Sequence, residues 1–137
     1  MADTALSFPT YFPKDCPPAE AIDEECLLYR LCKRKELSED DFTSFYLINP
    51  EKHKDNINAY GLSVFKTADD CQSVRRKVPA LRKKYNYIAY GWTNKSRGKI
   101  LNTPSNTSPA HFTWWVYEGV YPHTFFEISD EGGGISE

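Results

Sequence analysis

The order of patterns along the chain predicts an α+β fold: a single compact domain with a mainly antiparallel sheet and one or two helices packed on it. Three observations lead there. An apolar run with strand character, "CLLYRLCK" (26–33), comes before any strong helical signal. One segment, 67–77, carries both the start and the stop signals of a helix. From residue 87 onward, short runs rich in Tyr, Trp, Phe, Ile and Val alternate with turn residues, which is strand composition. With 137 residues, 40% hydrophobic and 26% charged, the chain has ordinary globular composition and enough length to bury a core without a staple.

Residues 1–19 hold four of the nine prolines and read as an extended, loosely ordered arm. The domain proper is expected over 20–129. After the first strand, "LSEDDFTSFYLINP" offers Ser38 with Asp41 three residues on, a capping box that can open a short helix, and Pro50 closes it. "EKHKDNINAYG" reads as a polar loop and "LSVF" (62–65) as a strand. Thr67 with Asp70 makes a second capping box, and the helix it opens has acidic residues in its first turn and basic ones near its end, as the dipole favours. Pro79 interrupts this helix, and "ALRKKY" continues it after a kink. "YIAYGW" (87–92) and "KILNTP" (99–104) read as a hairpin around "TNKSRGK". Two further strands are expected at 111–117 and 124–129, and a flexible Gly-rich tail at 130–137.

The totals narrow the function classes. No run approaches the roughly 20 apolar residues of a membrane helix, and the first residues lack the basic flank and apolar core of a secretory signal, so a cytoplasmic protein without membrane contact is expected. Cys16, Cys26, Cys32 and Cys71 lack the paired spacing of a zinc site and are expected to remain thiols. No P-loop, nucleophile elbow or metal-protease motif is present, so neither metal nor cofactor is implied by motif. His111 and His123 could meet across a hairpin, but a third metal ligand is missing from the pattern.

Charge is segregated. Residues 1–70 contain fourteen acidic and eight basic residues, whereas Cys71 to Tyr117 contain nine Lys or Arg and no Asp or Glu. In the same region lies "HFTWWVYEGVYPHTFF" (111–126), with seven aromatic residues in sixteen. Strand alternation puts Phe112, Trp114 and Val116 on one face, expected to be core, and His111, Thr113, Trp115 and Tyr117 on the other, expected to be accessible. Cations attract phosphates and flat rings stack on bases. Arg76, Arg82, Lys83 and Arg97, with His111, Trp115 and Tyr117, therefore form the expected site of a binding module for an anionic partner. That partner would be single-stranded nucleic acid, a nucleotide or an acidic protein. The alternative arrangement is intrachain, with the basic segment neutralised by the acidic N-terminal half.

A second constellation points to chemistry. Arg30 lies on the first strand, Ser63 on the second and Glu127 on a late strand. This order resembles that of compact ADP-ribosyltransferases. The resemblance implies that Arg30 and Ser63 help hold NAD and that Glu127 assists transfer. The chain departs from the family in having "LSVF" where a Ser-Thr-Ser run is usual. Such an enzyme should gather Arg30, Ser63 and Glu127 at one cleft. A third arrangement, a cysteine or serine nucleophile with histidine, would draw on Cys71 near a helix start, where Asp69 and Asp70 oppose a thiolate.

Overall fold

The computed structural model describes residues 6–129, and the expected tail at 130–137 lies outside them. Its six strands are β1 (Cys26–Cys32), β2 (Leu62–Val64), β3 (Tyr87–Thr93), β4 (Gly98–Asn102), β5 (Phe112–Val116) and β6 (Glu127–Ile128). They form two antiparallel sheets, ordered β1-β3-β6 and β2-β5-β4. The fold is thus α+β, as the order of patterns predicts. The sheets meet where Tyr29 and Phe65 exchange both backbone hydrogen bonds, at 2.7 and 2.8 Å, so β1 lies beside the chain that leaves β2.

The helix signals over 67–84 are met, and those before Gly61 only in part. Helix α3 (Ala68–Lys77) opens with the Thr67 side chain accepting from the Asp70 N–H at 3.0 Å, and closes on three cations. Pro79 begins the separate helix α4 (Pro79–Lys84), because a proline at the first helical position has no N–H to lose. Asp41 accepts from the Ser38 N–H at 2.9 Å and opens a single 3-10 turn, Glu39–Phe42. The helix expected there comes instead as two one-turn pieces, α1 (Phe45–Ile48) and α2 (Pro50–His53), with Pro50 starting the second. The expected polar loop is therefore partly helical. Asn49 caps α2, and Asn56 opens a 3-10 turn over Ile57–Tyr60.

Three clusters make the core. The first lies between the sheets, with Leu28, Val64, Ile100, Trp114 and Phe126. Phe126 lies over Gly91, where any Cβ would enter its ring. The second covers the opposite face of β5. There Trp115 packs with Cys16 and Tyr60, and Phe8 and Phe12 close over it. Described residues 6–19 are thus packed rather than loose, and Ser7 accepts a backbone bond from Glu118 at 2.8 Å. The third seats α3 and Val78 and Leu81 against Phe65 and Ile88. β5 and β6 do not pair as neighbours in chain order often do, since Pro122 nucleates a 3-10 turn and sends β6 to β3 in the other sheet. The described residues contain no helix long and apolar enough to cross a membrane.

Candidate functional site

A cavity of about 890 Å³ opens at the junction of the two sheets. Its polar wall holds Arg30, Ser63 and His111, and its apolar wall holds Phe65, Val74, Val78, Leu81 and Tyr85. Phe45 and Ile48 of α1 stand at its edge, 55% and 67% exposed.

Strand alternation aims the polar groups. Leu62 and Val64 are buried in the first cluster, so Ser63 between them points to the other side of β2. Gly61 lets this strand approach β5, because a Cβ there would strike the Thr113 methyl. Arg30 crosses from β1. Its Nη1 donates to the Ser63 carbonyl at 2.8 Å, its Nε donates to the Asp41 carbonyl at 2.9 Å, and its guanidinium carbon sits 5.6 Å from the Phe42 ring centre. No carboxylate lies within ion-pair distance of it among the described residues. Burial lowers its pKa from the ordinary range, while Cys32, Tyr85 and Asp41 oppose the shift. An arginine keeps its proton at neutral pH regardless, so the cavity carries a fixed positive charge.

His111 is held by the loop that joins β4 to β5. Thr103 N–H donates to the His111 carbonyl at 2.9 Å, closing the neck of that loop. His111 Nδ1 is 2.9 Å from both the Thr103 carbonyl and the Thr103 hydroxyl, and that hydroxyl is 2.8 Å from Thr113 Oγ1. A carbonyl only accepts, so Nδ1 bonded to it bears the proton. Nε2 is left to accept from Ser63 Oγ at 2.8 Å. Burial pushes the His111 pKa below its usual value, the Thr103 carbonyl bond opposes this, and Arg30 adds to the lowering. The result is a neutral imidazole bonded to a serine hydroxyl beside a guanidinium that is held by two carbonyls and has no carboxylate partner among the described residues. Such a group can take a proton from a hydroxyl or amine that reaches the cavity.

The expected residues divide sharply. Arg30, Ser63 and His111 come together. Glu127 does not: β6 pairs with β3 at the outer edge of the first sheet, and the exposed Glu127 carboxylate accepts from Tyr90 Oη at 3.4 Å. Trp115 and Tyr117 are not on an accessible face. Trp115 is fully buried with its N–H bonded to the Ile57 carbonyl at 3.1 Å, and Tyr117 lies under Phe8 at 4.5 Å between ring centres. The N-terminal segment and the turn before β2 cover that face, so β5 is covered on both sides. The exposed tryptophan is Trp92.

Arg97 is engaged locally, with its guanidinium 3.6 Å from the Phe125 ring centre and Nη1 donating to the Trp92 carbonyl at 2.7 Å. Arg76 and Lys83 stay on the solvent side of α3 and α4, as does Arg82, which bonds the Arg76 carbonyl. His123 lines a separate cavity of about 270 Å³, so the two histidines do not meet. Among the described residues no cluster of His, Cys, Asp or Glu is arranged for a metal. All four cysteines are free thiols. Burial pushes Cys32 up to about 12 and Cys71 higher still, which removes Cys71 as a nucleophile at neutral pH. No spacing rule in the sequence marks Thr103 or Phe65, whereas Tyr85 lies among the aromatics interleaved with the basic clusters.

The chain matches no protein-family model, and no significant match was found among curated proteins or solved structures.

Proposed function

We propose that the chain is a nucleotide-using domain in which an anionic nucleotide occupies the inter-sheet cavity, Arg30 holds a phosphate, and the Ser63–His111 pair moves a proton at the reacting group. The observation that carries this reading is the convergence of Arg30, Ser63 and His111, from two sheets and a loop, on one cavity. A half-buried guanidinium with no carboxylate within ion-pair distance among the described residues favours an anion beside it. The volume lies in the range of small-ligand and cofactor pockets, and the apolar wall with Tyr85 and Phe65 suits a flat ring.

This reading joins the two expectations from the sequence. It keeps the anionic partner but moves it from the β5 face to the cavity. It keeps the ADP-ribosyltransferase-like pair Arg30 and Ser63, with His111 in place of Glu127. Transfer from NAD breaks the ribosyl–nicotinamide bond, whose electrons leave with neutral nicotinamide. An acceptor oxygen or nitrogen bonds the ribosyl carbon and gives up a proton. His111 Nε2 is the base available for that proton, once Ser63 Oγ turns to the ligand as donor or acceptor.

Calorimetric titration of the full chain with NAD, ADP-ribose and ATP tests the reading, with nicotinamide release followed in parallel. Binding of a nucleotide that weakens at least tenfold in Arg30→Lys is the expected result, since Lys lacks the planar fork. No binding of any of the three at millimolar concentration overturns it. The 2.8 Å Ser63–His111 bond also suits a serine nucleophile. Covalent labelling of Ser63 by a fluorophosphonate, lost in His111→Gln, would favour acyl transfer instead.

A further inference from the structure

Among the described residues no carboxylate pairs with the basic segment. Ion pairs among the described residues are Lys54–Glu51 and Lys66–Glu24, and none involves the nine cations between Cys71 and Tyr117. The described acidic residues of the N-terminal half therefore make no ion pair with them. Five of them, Arg76, Lys77, Arg82, Lys83 and Lys84, are exposed on α3 and α4. These same helices build the apolar wall of the cavity through Val74, Val78 and Leu81. Lys77 Nζ lies 3.5 Å from the carbonyl of Thr107, itself a wall residue, so the cationic strip reaches the cavity edge. Lys33 and Arg34 continue positive charge into the wall, with Lys33 Nζ 5.8 Å from the Tyr85 ring centre. Asp40 and Asp41 stand in the same wall, and Asp41 is occupied by the Ser38 N–H.

We propose that the α3–α4 strip is a track for single-stranded nucleic acid, which lays its phosphates along Arg76, Lys77, Arg82 and Lys83 and brings a terminal nucleotide to the cavity. The inference rests on the nucleotide reading of the cavity and names the acceptor it serves. Phosphates spaced along a flexible strand match cations spaced along two short helices, and rings at the cavity edge supply the stacking surface that buried Trp115 and Tyr117 do not. Phe45, more than half exposed, and Tyr85 are those rings. An acidic protein would use the cations but leave the rings idle.

The test is fluorescence anisotropy of the full chain with labelled oligo-dT and oligo-U twenty-mers at 50 and 200 mM salt. About four phosphate contacts give a loss of roughly 50-fold in affinity across that range for a single strand. The variant with Arg76, Arg82 and Lys83 changed to Glu should abolish binding, and Phe45→Ala should weaken it about fivefold or more. Nucleotide titration of the same triple variant reports on the cavity alone and should stay within about twofold of the parent. Absence of strand binding at 50 mM salt overturns the track while leaving the cavity reading to its own titration. Binding indifferent to the triple change also overturns it, as does competition by polyglutamate at equal charge, which would indicate a protein partner.

Discussion

Replacing Trp115 by Ala separates a core residue from a binding residue. Trp115 is fully buried among Cys16, Tyr60, Phe8 and Phe12, and its N–H bonds the Ile57 carbonyl at 3.1 Å. A buried tryptophan hides about 200 Å² of surface, which at about 25 cal/mol per Å² amounts to roughly 5 kcal/mol. Partial collapse of the second cluster and the compact unfolded state reduce this, so about 4 kcal/mol is expected, within the usual range for such truncations. Trp115→Phe keeps most of the ring and loses the hydrogen bond, leaving the Ile57 carbonyl without that donor, for about 1–2 kcal/mol. Trp92→Ala is the control: the residue is 54% exposed, and about 0.5–1 kcal/mol is expected. Urea unfolding followed by far-UV dichroism measures all three. With a slope near 2 kcal/mol/M the midpoint should fall by about 2 M for Trp115→Ala. A midpoint shift no larger than that of Trp92→Ala would refute the burial argument and return Trp115 to the list of contact residues.

The remaining predictions concern the cavity. His111→Gln should lower the nucleotide-dependent rate by about 10²–10⁴, the usual contribution of a general base, with little change in KM; an unchanged kcat removes His111 as the base. The parent rate should be level from neutral pH upward and fall only as pH drops below the ordinary imidazole range, because the folded His111 pKa is depressed. The same depression makes the unfolded state bind the extra proton, so stability is full above the unfolded His pKa and declines as pH falls through the folded one. Urea midpoints against pH should show a smaller decline in that acidic window for His111→Gln, and parallel curves would contradict the placement. Gly61→Ala should cost about 1–3 kcal/mol by forcing β2 away from Thr113, read from thermal or urea unfolding.

What the sequence made legible follows the range of the interactions. β1, the α3 cap and the α3–α4 break depend on neighbours a few positions apart, and each forms where its residues predict. Trp115 misleads because alternation describes one strand in isolation, whereas its cover comes from Phe8 and Phe12 at the opposite end of the chain. Glu127 misleads for a topological reason: β6 joins the far edge of the first sheet, and no local pattern states which strand it will pair with. Arg30 and Ser63 are readable as a pair only through the resemblance to compact ADP-ribosyltransferases, which names Glu127 as their third member. His111 was readable as a candidate but not as their companion. Their meeting needs the Tyr29–Phe65 junction and the Thr103 neck, which are tertiary contacts.

The neck has a consequence for how such a site can diversify. Thr103 and His111 are tied to each other by backbone, and Asn102 Nδ2 donates to the Pro109 and His111 carbonyls at 3.2 and 2.9 Å, so the histidine is anchored before the loop begins. Beyond that knot, residues 104–107 are exposed, while Ser105 and Thr107 border the cavity. Lengthening a loop adds little closure entropy, about 0.6 kcal/mol for each doubling. Insertions between Ser105 and Thr107 would reshape the entrance while the imidazole keeps its register with Ser63. In the proposed site the entrance and the imidazole thus rest on different anchors, joined through Ser108, which pairs with Ser105 and accepts from the His111 N–H at 3.4 Å.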